Sequence, residues 1–219
     1  MRAAPAVTDA KRRLADLLKR LGTATAPQLA AMLDLTDTAV RQHLDAMADA
    51  GLVTRVEPES GTERGRGRPP VRYRLTDLAN QLFPDRHAEL AVELIEQVRT
   101  ALGPRALDAV IDARTAAQER VYSAAMPTGT RVSLRARAER LARLRTAEGY
   151  VAEVVPDGRN SVVLVEHHCP ICDAATTCQG LCRGELELFR RVLGTGVTVT
   201  RTEHLLSGDL RCAYRLTPA

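Results

Sequence analysis

Cysteine is missing from the first 168 residues of this 219-residue chain, so any thiol chemistry is confined to its final stretch. Tryptophan is absent and aromatic residues make up only 3% of the total. With hydrophobic residues at 45%, there is ample material for a core, but that core has to be largely aliphatic. Lysine occurs only at Lys11 and Lys19, and the other 29 of the 31 basic residues are arginine. The formal charge of +4 and pI near 9.0 are a mild basic bias compatible with a nucleic-acid partner. Because arginine carries it, codon bias accounts for it as well as phosphate recognition does. No apolar run approaches the roughly 18 residues a membrane-spanning helix needs, which excludes a membrane partner. The start, Met1-Arg2-Ala3-Ala4-Pro5, lacks the hydrophobic core of a signal peptide. The chain therefore reads as cytoplasmic, where thiols stay reduced and clustered cysteines hold metal rather than form disulfides. No internal repeat is present.

The first eighty residues carry helical periodicity and then strand alternation. Leu14, Leu17, Leu18 and Leu21 predict a helix over 8–21 that Gly22 ends. Thr25 caps a short second helix with Pro27 in its first turn and Leu29, Ala30 and Leu33 facing inward. A third helix from Asp37 to Ala50 buries Val40, Leu44 and Met47, and Gly51 stops it as a C′ glycine. The runs 52–56 and 71–75 alternate like half-buried strands on either side of a polar loop. Helix, short helix, turn, helix and hairpin make a winged helix-turn-helix, whose recognition helix enters the major groove of double-stranded DNA.

The DNA-facing residues follow from that reading. Thr36, Thr38, Ala39, Arg41, Gln42 and His43 cluster early in the third helix, away from Val40 and Leu44. Arg41 suits guanine, Gln42 suits adenine, and Thr38 suits a phosphate or a thymine methyl. Arg64, Arg66 and Arg68 ring the Gly-rich tip of the wing, where closely spaced cations track phosphates or enter the minor groove.

Beyond residue 80, Leu90, Leu94, Val98 and Leu102 form one stripe over 86–102, with Ile95 beside it. Such a stripe either packs within its own subunit or forms the seam of a homodimer that a two-fold regulator requires. Amphipathic segments at 105–125 and 131–147 follow. From Gly149 the pattern turns to strands: a hairpin over 150–166, a helix from Glu185 to Leu193, and a second hairpin from Val197 to Leu216. The fold class expected is α+β: an N-terminal winged helix-turn-helix (1–80), central dimerisation helices (81–148), and a small C-terminal α+β cysteine-rich module (149–219).

Four of the five cysteines fall in the run Cys169-Pro-Ile-Cys172-Asp-Ala-Ala-Thr-Thr-Cys178-Gln-Gly-Leu-Cys182, and Cys212 lies thirty residues further on. Soft thiolates packed this closely can share one metal centre. Cys178 and Cys182, four apart near a helix start, are expected on one face, where the helix dipole favours thiolates. Cys212 comes from across the sheet. Cys169 closes the set, and Cys172 competes with it through the C-x-x-C spacing. Zn2+ bound by four cysteines usually shows two C-x-x-C pairs, and only one is present here. A redox motif wants its C-x-x-C at a helix start, and Pro170 opposes one. The irregular spacing suits an iron–sulfur cluster best.

The chain resembles the SufR-type repressors, winged-helix regulators of iron–sulfur cluster assembly genes that themselves bind a cluster. The matching runs include Ala39-Val40-Arg41-Gln42-His43-Leu44, Gly67-Arg68-Pro69-Pro70, Leu82-Phe83-Pro84, Cys169-Pro170-Ile171, Cys182-Arg183-Gly184-Glu185, Arg201-Thr202-Glu203-His204 and Cys212-Ala213-Tyr214-Arg215. The resemblance implies a homodimer with one 4Fe-4S cluster per subunit that represses its own and neighbouring assembly genes. It implies no enzymatic activity and no small-molecule substrate. Cys169, Cys182 and Cys212 match cysteines of the family. Cyanobacterial members carry a further cysteine near the position of Gly196 or Val197, and its absence here makes Cys178 the natural substitute. The expected ligand set is Cys169, Cys178, Cys182 and Cys212, with Cys172, a nearby carboxylate, His167 or His168 as the alternative fourth ligand. The cluster-loaded form is expected to bind operator DNA more tightly; the alternatives are a zinc-stabilised regulator or a thiol-redox switch.

Overall fold

The computed structural model describes residues 8–56, 70–127, 129 and 132–219. The chain forms two compact units, Met1–Asp85 and Arg86–Ala219.

In the first unit, local capping sets the helix boundaries. Helix α1 (Asp9–Leu21) begins where the Thr8 side chain accepts from the Lys11 amide, and it buries Leu14, Ala15 and Leu18. Strand β1 (Ala24–Thr25) leads into α2 (Ala26–Leu33), which is held by a full capping box. There the Gln28 amide bonds to the Thr25 hydroxyl, and the Gln28 side chain accepts from the Thr25 amide at 2.9 Å. Asp34 adopts the left-handed conformation (φ 55°) and turns the chain into α3 (Asp37–Asp49). Gly51, at φ 73°, ends that helix as expected. Strands β2 (Val53–Val56) and β3 (Arg72–Leu75) pair antiparallel, with Arg55 opposite Tyr73. β3 also pairs with β1, giving the order β1-β3-β2. Sequence periodicity does not reveal β1, because two residues are too few to alternate. Leu14, Leu29, Val40, Leu44, Met47, Leu52 and Tyr73 are all nearly or fully buried in one core. Each of the larger aliphatic side chains contributes about 1.5–3 kcal/mol by leaving water. The wing-tip residues Arg64, Arg66 and Arg68 lie outside the described residues.

The second unit places helices against a four-stranded sheet. Helices α4 (His87–Leu102), α5 (Pro104–Ala125) and α6 (Leu134–Ala147) precede strands β4 (Ala152–Asp157) and β5 (Ser161–Glu166). Helices α7 (Cys172–Thr177) and α8 (Gly180–Leu193) follow, then β6 (Val197–Glu203) and β7 (Cys212–Pro218). The sheet order is β4-β5-β7-β6 and every pairing is antiparallel. Val162 and Leu164 of β5, Tyr214 and Leu216 of β7, and Val197 and Val199 of β6 share one face with α6 and α8. The central helices thus share a core with the sheet: Tyr122 of α5 and Ala138, Leu141 and Ala142 of α6 lie in it.

Two expectations are corrected here. A helix does begin at Cys172, despite Pro170, because the proline precedes the first turn instead of interrupting it. Helix α8 starts at Gly180, five residues before the expected Glu185. Gly180 and Gly184 are where α8 meets α5. A Cβ at Gly184 would lie 2.6 Å from Thr115 Oγ1, and one at Gly180 would lie 2.9 Å from Ile111 Cδ1. Close approach of the two helices offsets the roughly 1 kcal/mol that a helical glycine costs.

Candidate functional site

The end of the helix-covered sheet face builds a pocket from three separate elements. Strand β5 ends at Glu166 and runs into His167, His168 and Cys169; Cys182 sits in the first turn of α8; Cys212 opens β7 directly opposite Glu166. Cys169, Cys182 and Cys212 all line this pocket, together with His204, Glu166 and Glu185. The amide of Leu205 donates to Cys212 Sγ at 3.5 Å. Burial pushes the Cys169 thiol up to about 12 and the Cys182 thiol to about 11, and it raises Cys212 as well. For Cys182, desolvation outweighs the helix N-terminus that was expected to favour its thiolate.

Cys178 is not among the residues lining this pocket. It has an extended backbone (φ −141°, ψ 95°) between α7 and α8, which breaks the i,i+4 relation with Cys182 that the sequence suggested. Its side chain packs with Leu107, Ile111 and Leu181 in a small apolar cluster. Cys172 starts α7 and is absent from the lining too. His167 and His168 line the pocket but are largely exposed, and His167 Nε2 lies 2.8 Å from Glu153 Oε1. Among the described residues, no three His, Cys, Asp or Glu side chains converge on a single ion. The pocket encloses about 20 Å³ of free volume, space for roughly one water.

Beneath the pocket lies a buried charged network that periodicity did not identify. Arg145 is completely buried, with Nε 2.5 Å from Glu166 Oε1 and Nη2 2.7 Å from Glu185 Oε1. Its guanidinium stacks 3.3 Å from the centre of the Tyr150 ring, and the Tyr150 hydroxyl donates to Glu185. Burial opposes the Arg145 charge, but Glu185 and Glu166 outweigh it and its pKa rises. Desolvation holds Glu166 above the ordinary carboxylate range, even though Arg145 opposes this. The signal was present in α6: Ala138, Leu141, Ala142 and Arg145 share one helical stripe, so the arginine falls on the apolar face. Glu166 pairs across the sheet with Cys212, and Glu185 follows Cys182 by three residues, so one cation ties two thiol-bearing elements together.

Two further groups border the thiols. The Arg201 guanidinium donates to the Cys182 carbonyl and lies 5.3 Å from the centre of the Tyr214 ring. His204 is pushed down by burial and by Arg201. Among the described residues its buried Nε2 has no hydrogen-bond partner.

On α3 the expected DNA-facing residues form an open surface. Thr36 is the N-cap, accepting from the Ala39 amide at 3.2 Å. Thr38, Arg41 and Gln42 are exposed, while Ala39 and His43 are half-buried. Arg41 Nε pairs with Asp37 Oδ2 at 2.8 Å, with both side chains close to half exposed. An exposed pair one helical turn apart is weak because solvent screens it, so a DNA acceptor can displace it.

Residues 11–56 match the helix-turn-helix domain family, a span running from α1 through β2. No curated protein matches the chain. Among solved structures, it is similar to NadR in complex with 4-hydroxyphenylacetate (26% identity, TM-score 0.30, 45% of this chain and 64% of that one). It is also similar to the adhesin competence repressor AdcR of Streptococcus pyogenes (15% identity, TM-score 0.31, 53% of this chain and 83% of that one). A third similarity is to a cysteine-to-serine mutant of Lactococcus lactis ZitR in complex with DNA (16% identity, TM-score 0.31, 55% and 79%). The chain thus spans under two thirds of the first of these proteins. Among the described residues, no helix is long and apolar enough to cross a membrane.

Proposed function

We propose that this helix-turn-helix DNA-binding regulator is a homodimeric, non-enzymatic repressor of iron–sulfur cluster assembly genes that senses cluster supply through a 4Fe-4S cluster of its own. The observation that carries the reading is the meeting of Cys169, Cys182 and Cys212, from three different elements, at one pocket. Residues so far apart in sequence share a pocket only through the fold, and three soft donors suit an iron–sulfur centre.

The donor set fits a cluster better than a lone zinc ion. Zn2+ needs its ligands within about 2.3 Å of one point, and no three donors converge that way among the described residues. A cluster instead takes each thiolate on a different iron, so its ligands stand apart around a volume. The roughly 20 Å³ enclosed here has to widen to admit it. The segment 169–171 lies outside the strands and can yield without breaking the sheet. The raised thiols also weigh against a thiol-redox switch, which works through a lowered one. Ligation replaces each thiol proton with a metal bond. When bound, the cluster supplies an oxygen- and redox-labile crosslink among the three elements. Cys178, given its apolar surroundings, stays the fourth ligand only if α7 and α8 rearrange.

Dimerisation has a surface to use. Leu90, Leu94 and Leu102 of α4 are exposed at 50%, 57% and 69%, while Ile95 and Val98 of the same helix pack inward. The outward half of the stripe is thus available for a second copy. The DNA contacts fall to Thr36, Thr38, Ala39, Arg41, Gln42 and His43 of α3, with Arg64, Arg66 and Arg68 of the wing on the backbone or minor groove.

The test is the absorption spectrum of anaerobically purified protein together with operator titration. A broad band near 400 nm that air bleaches is expected, as is tighter operator binding by the loaded dimer. A coupling on the order of 1–3 kcal/mol corresponds to roughly 5–150-fold. Colourless protein carrying stoichiometric zinc overturns the cluster reading, and equal affinities of loaded and apo dimers overturn the sensing.

A further inference from the structure

We infer that His204, through Nε2, is the fourth ligand of the Cys169–Cys182–Cys212 pocket, giving a three-cysteine, one-histidine centre. This rests on the reading that the pocket holds an iron–sulfur cluster.

The imidazole is already built into the pocket wall. Its Nε2 is buried and, among the described residues, meets no donor or acceptor. A buried, unpaired ring nitrogen carries a desolvation penalty that metal coordination removes. The other ring nitrogen, Nδ1, lies 3.3 Å from Ser207 Oγ. With Nδ1–H donating to that hydroxyl, the Nε2 lone pair is left free, the arrangement by which a ligand histidine is oriented. The backbone holds the ring in place: the His204 amide donates to Asp209 Oδ2 at 2.7 Å, and the Ser207 amide donates to the His204 carbonyl at 2.8 Å. The next residue touches a proposed ligand directly, since the Leu205 amide donates to Cys212 Sγ.

Most competing donors are engaged elsewhere, and Cys172, near enough to influence the Cys169 and Cys182 thiols, starts α7 outside the pocket lining. Cys178 packs among Leu107, Ile111 and Leu181. The Glu166 and Glu185 carboxylates bind Arg145, and Glu185 also takes the Tyr150 hydroxyl. His167 faces Glu153, and His168 is exposed. Local sequence gives no reason to join His204 to the cysteine run, because the β6–β7 connection alone carries it there.

A neutral imidazole in place of a thiolate makes the centre one charge less negative, which raises its reduction potential. The experiment labels full-length protein with ¹⁵N-histidine, reduces the anaerobic cluster and measures nitrogen hyperfine coupling. Coupling is expected in the wild type and lost in His204→Ala, with circular dichroism confirming that the variant is folded. His204→Cys is expected to keep a cluster at a lower potential. Cys178→Ser is expected to leave chromophore and coupling unchanged. A wild-type cluster without histidine coupling, or coupling that survives His204→Ala, overturns the assignment while leaving the cluster reading intact. A wild-type protein with no cluster overturns both.

Discussion

Arg145 is the residue whose loss should be felt most widely in the second unit. It is fully buried and serves two carboxylates, Glu166 at 2.5 Å and Glu185 at 2.7 Å. In Arg145→Ala both acids stay in a dry site without a cation, and removing one partner of a buried pair costs roughly 3–5 kcal/mol. The loss of packing on Tyr150, whose ring centre lies 3.3 Å away, adds to that. A typical domain is stable by only about 5–15 kcal/mol, so the variant sits near the edge of folding. The effect carries a pH signature. Burial already holds Glu166 above the ordinary range with Arg145 opposing it, so removing the arginine raises its pKa further. For a group with a raised folded-state pKa, stability is fully present below the unfolded value and is lost as pH rises through the folded one. Arg145→Ala should therefore be much less stable than wild type at pH 7.5 and closer to it at pH 5.5. Urea denaturation of the apo chain at both pH values, followed by near-ultraviolet circular dichroism, measures this. Adding Glu166→Gln and Glu185→Gln to the variant should recover part of the loss at pH 7.5. A penalty below about 1 kcal/mol, or one independent of pH, would refute the proposed role of the network.

Gly184→Ala places a methyl 2.6 Å from Thr115 Oγ1, and overpacking of this kind costs about 1–3 kcal/mol; a lowered Tm that Thr115→Gly partly restores is the expected outcome. Leu94→Arg puts a charge on the exposed face of α4 and should yield monomers in analytical ultracentrifugation with unchanged helicity, whereas a persistent dimer would move the seam elsewhere. Arg41→Ala should lose about 1–3 kcal/mol of discrimination at one operator position, and competition against operators mutated base by base shows which; unchanged discrimination would remove Arg41 from base readout.

Features that depend on neighbours along the chain are legible without the fold. Thr25 with Gln28, Thr36 and Gly51 mark helix ends because caps are satisfied within one turn. The short β-branched apolar run of 161–166 declares a buried strand, because such side chains pack well on a pleated sheet. The crowding of the cysteines from Cys169 onward marks them as candidate ligands without any structure. Which side chains meet depends instead on long-range pairing. The pairing of β5 with β7 sets Cys212 opposite Glu166 from forty-six positions away, and no local rule specifies which strands of two hairpins become neighbours. Cys178 looked like a partner of Cys182 because a continuous helix would align them; the break between α7 and α8 sends it into an apolar cluster instead. Arg145 read as one more arginine in an Arg-rich helix until two buried acids from β5 and α8 closed on it. His204 reached the thiols by the same means, because a pocket at a sheet end collects the residues that register and connection bring there, however far apart they lie in the chain.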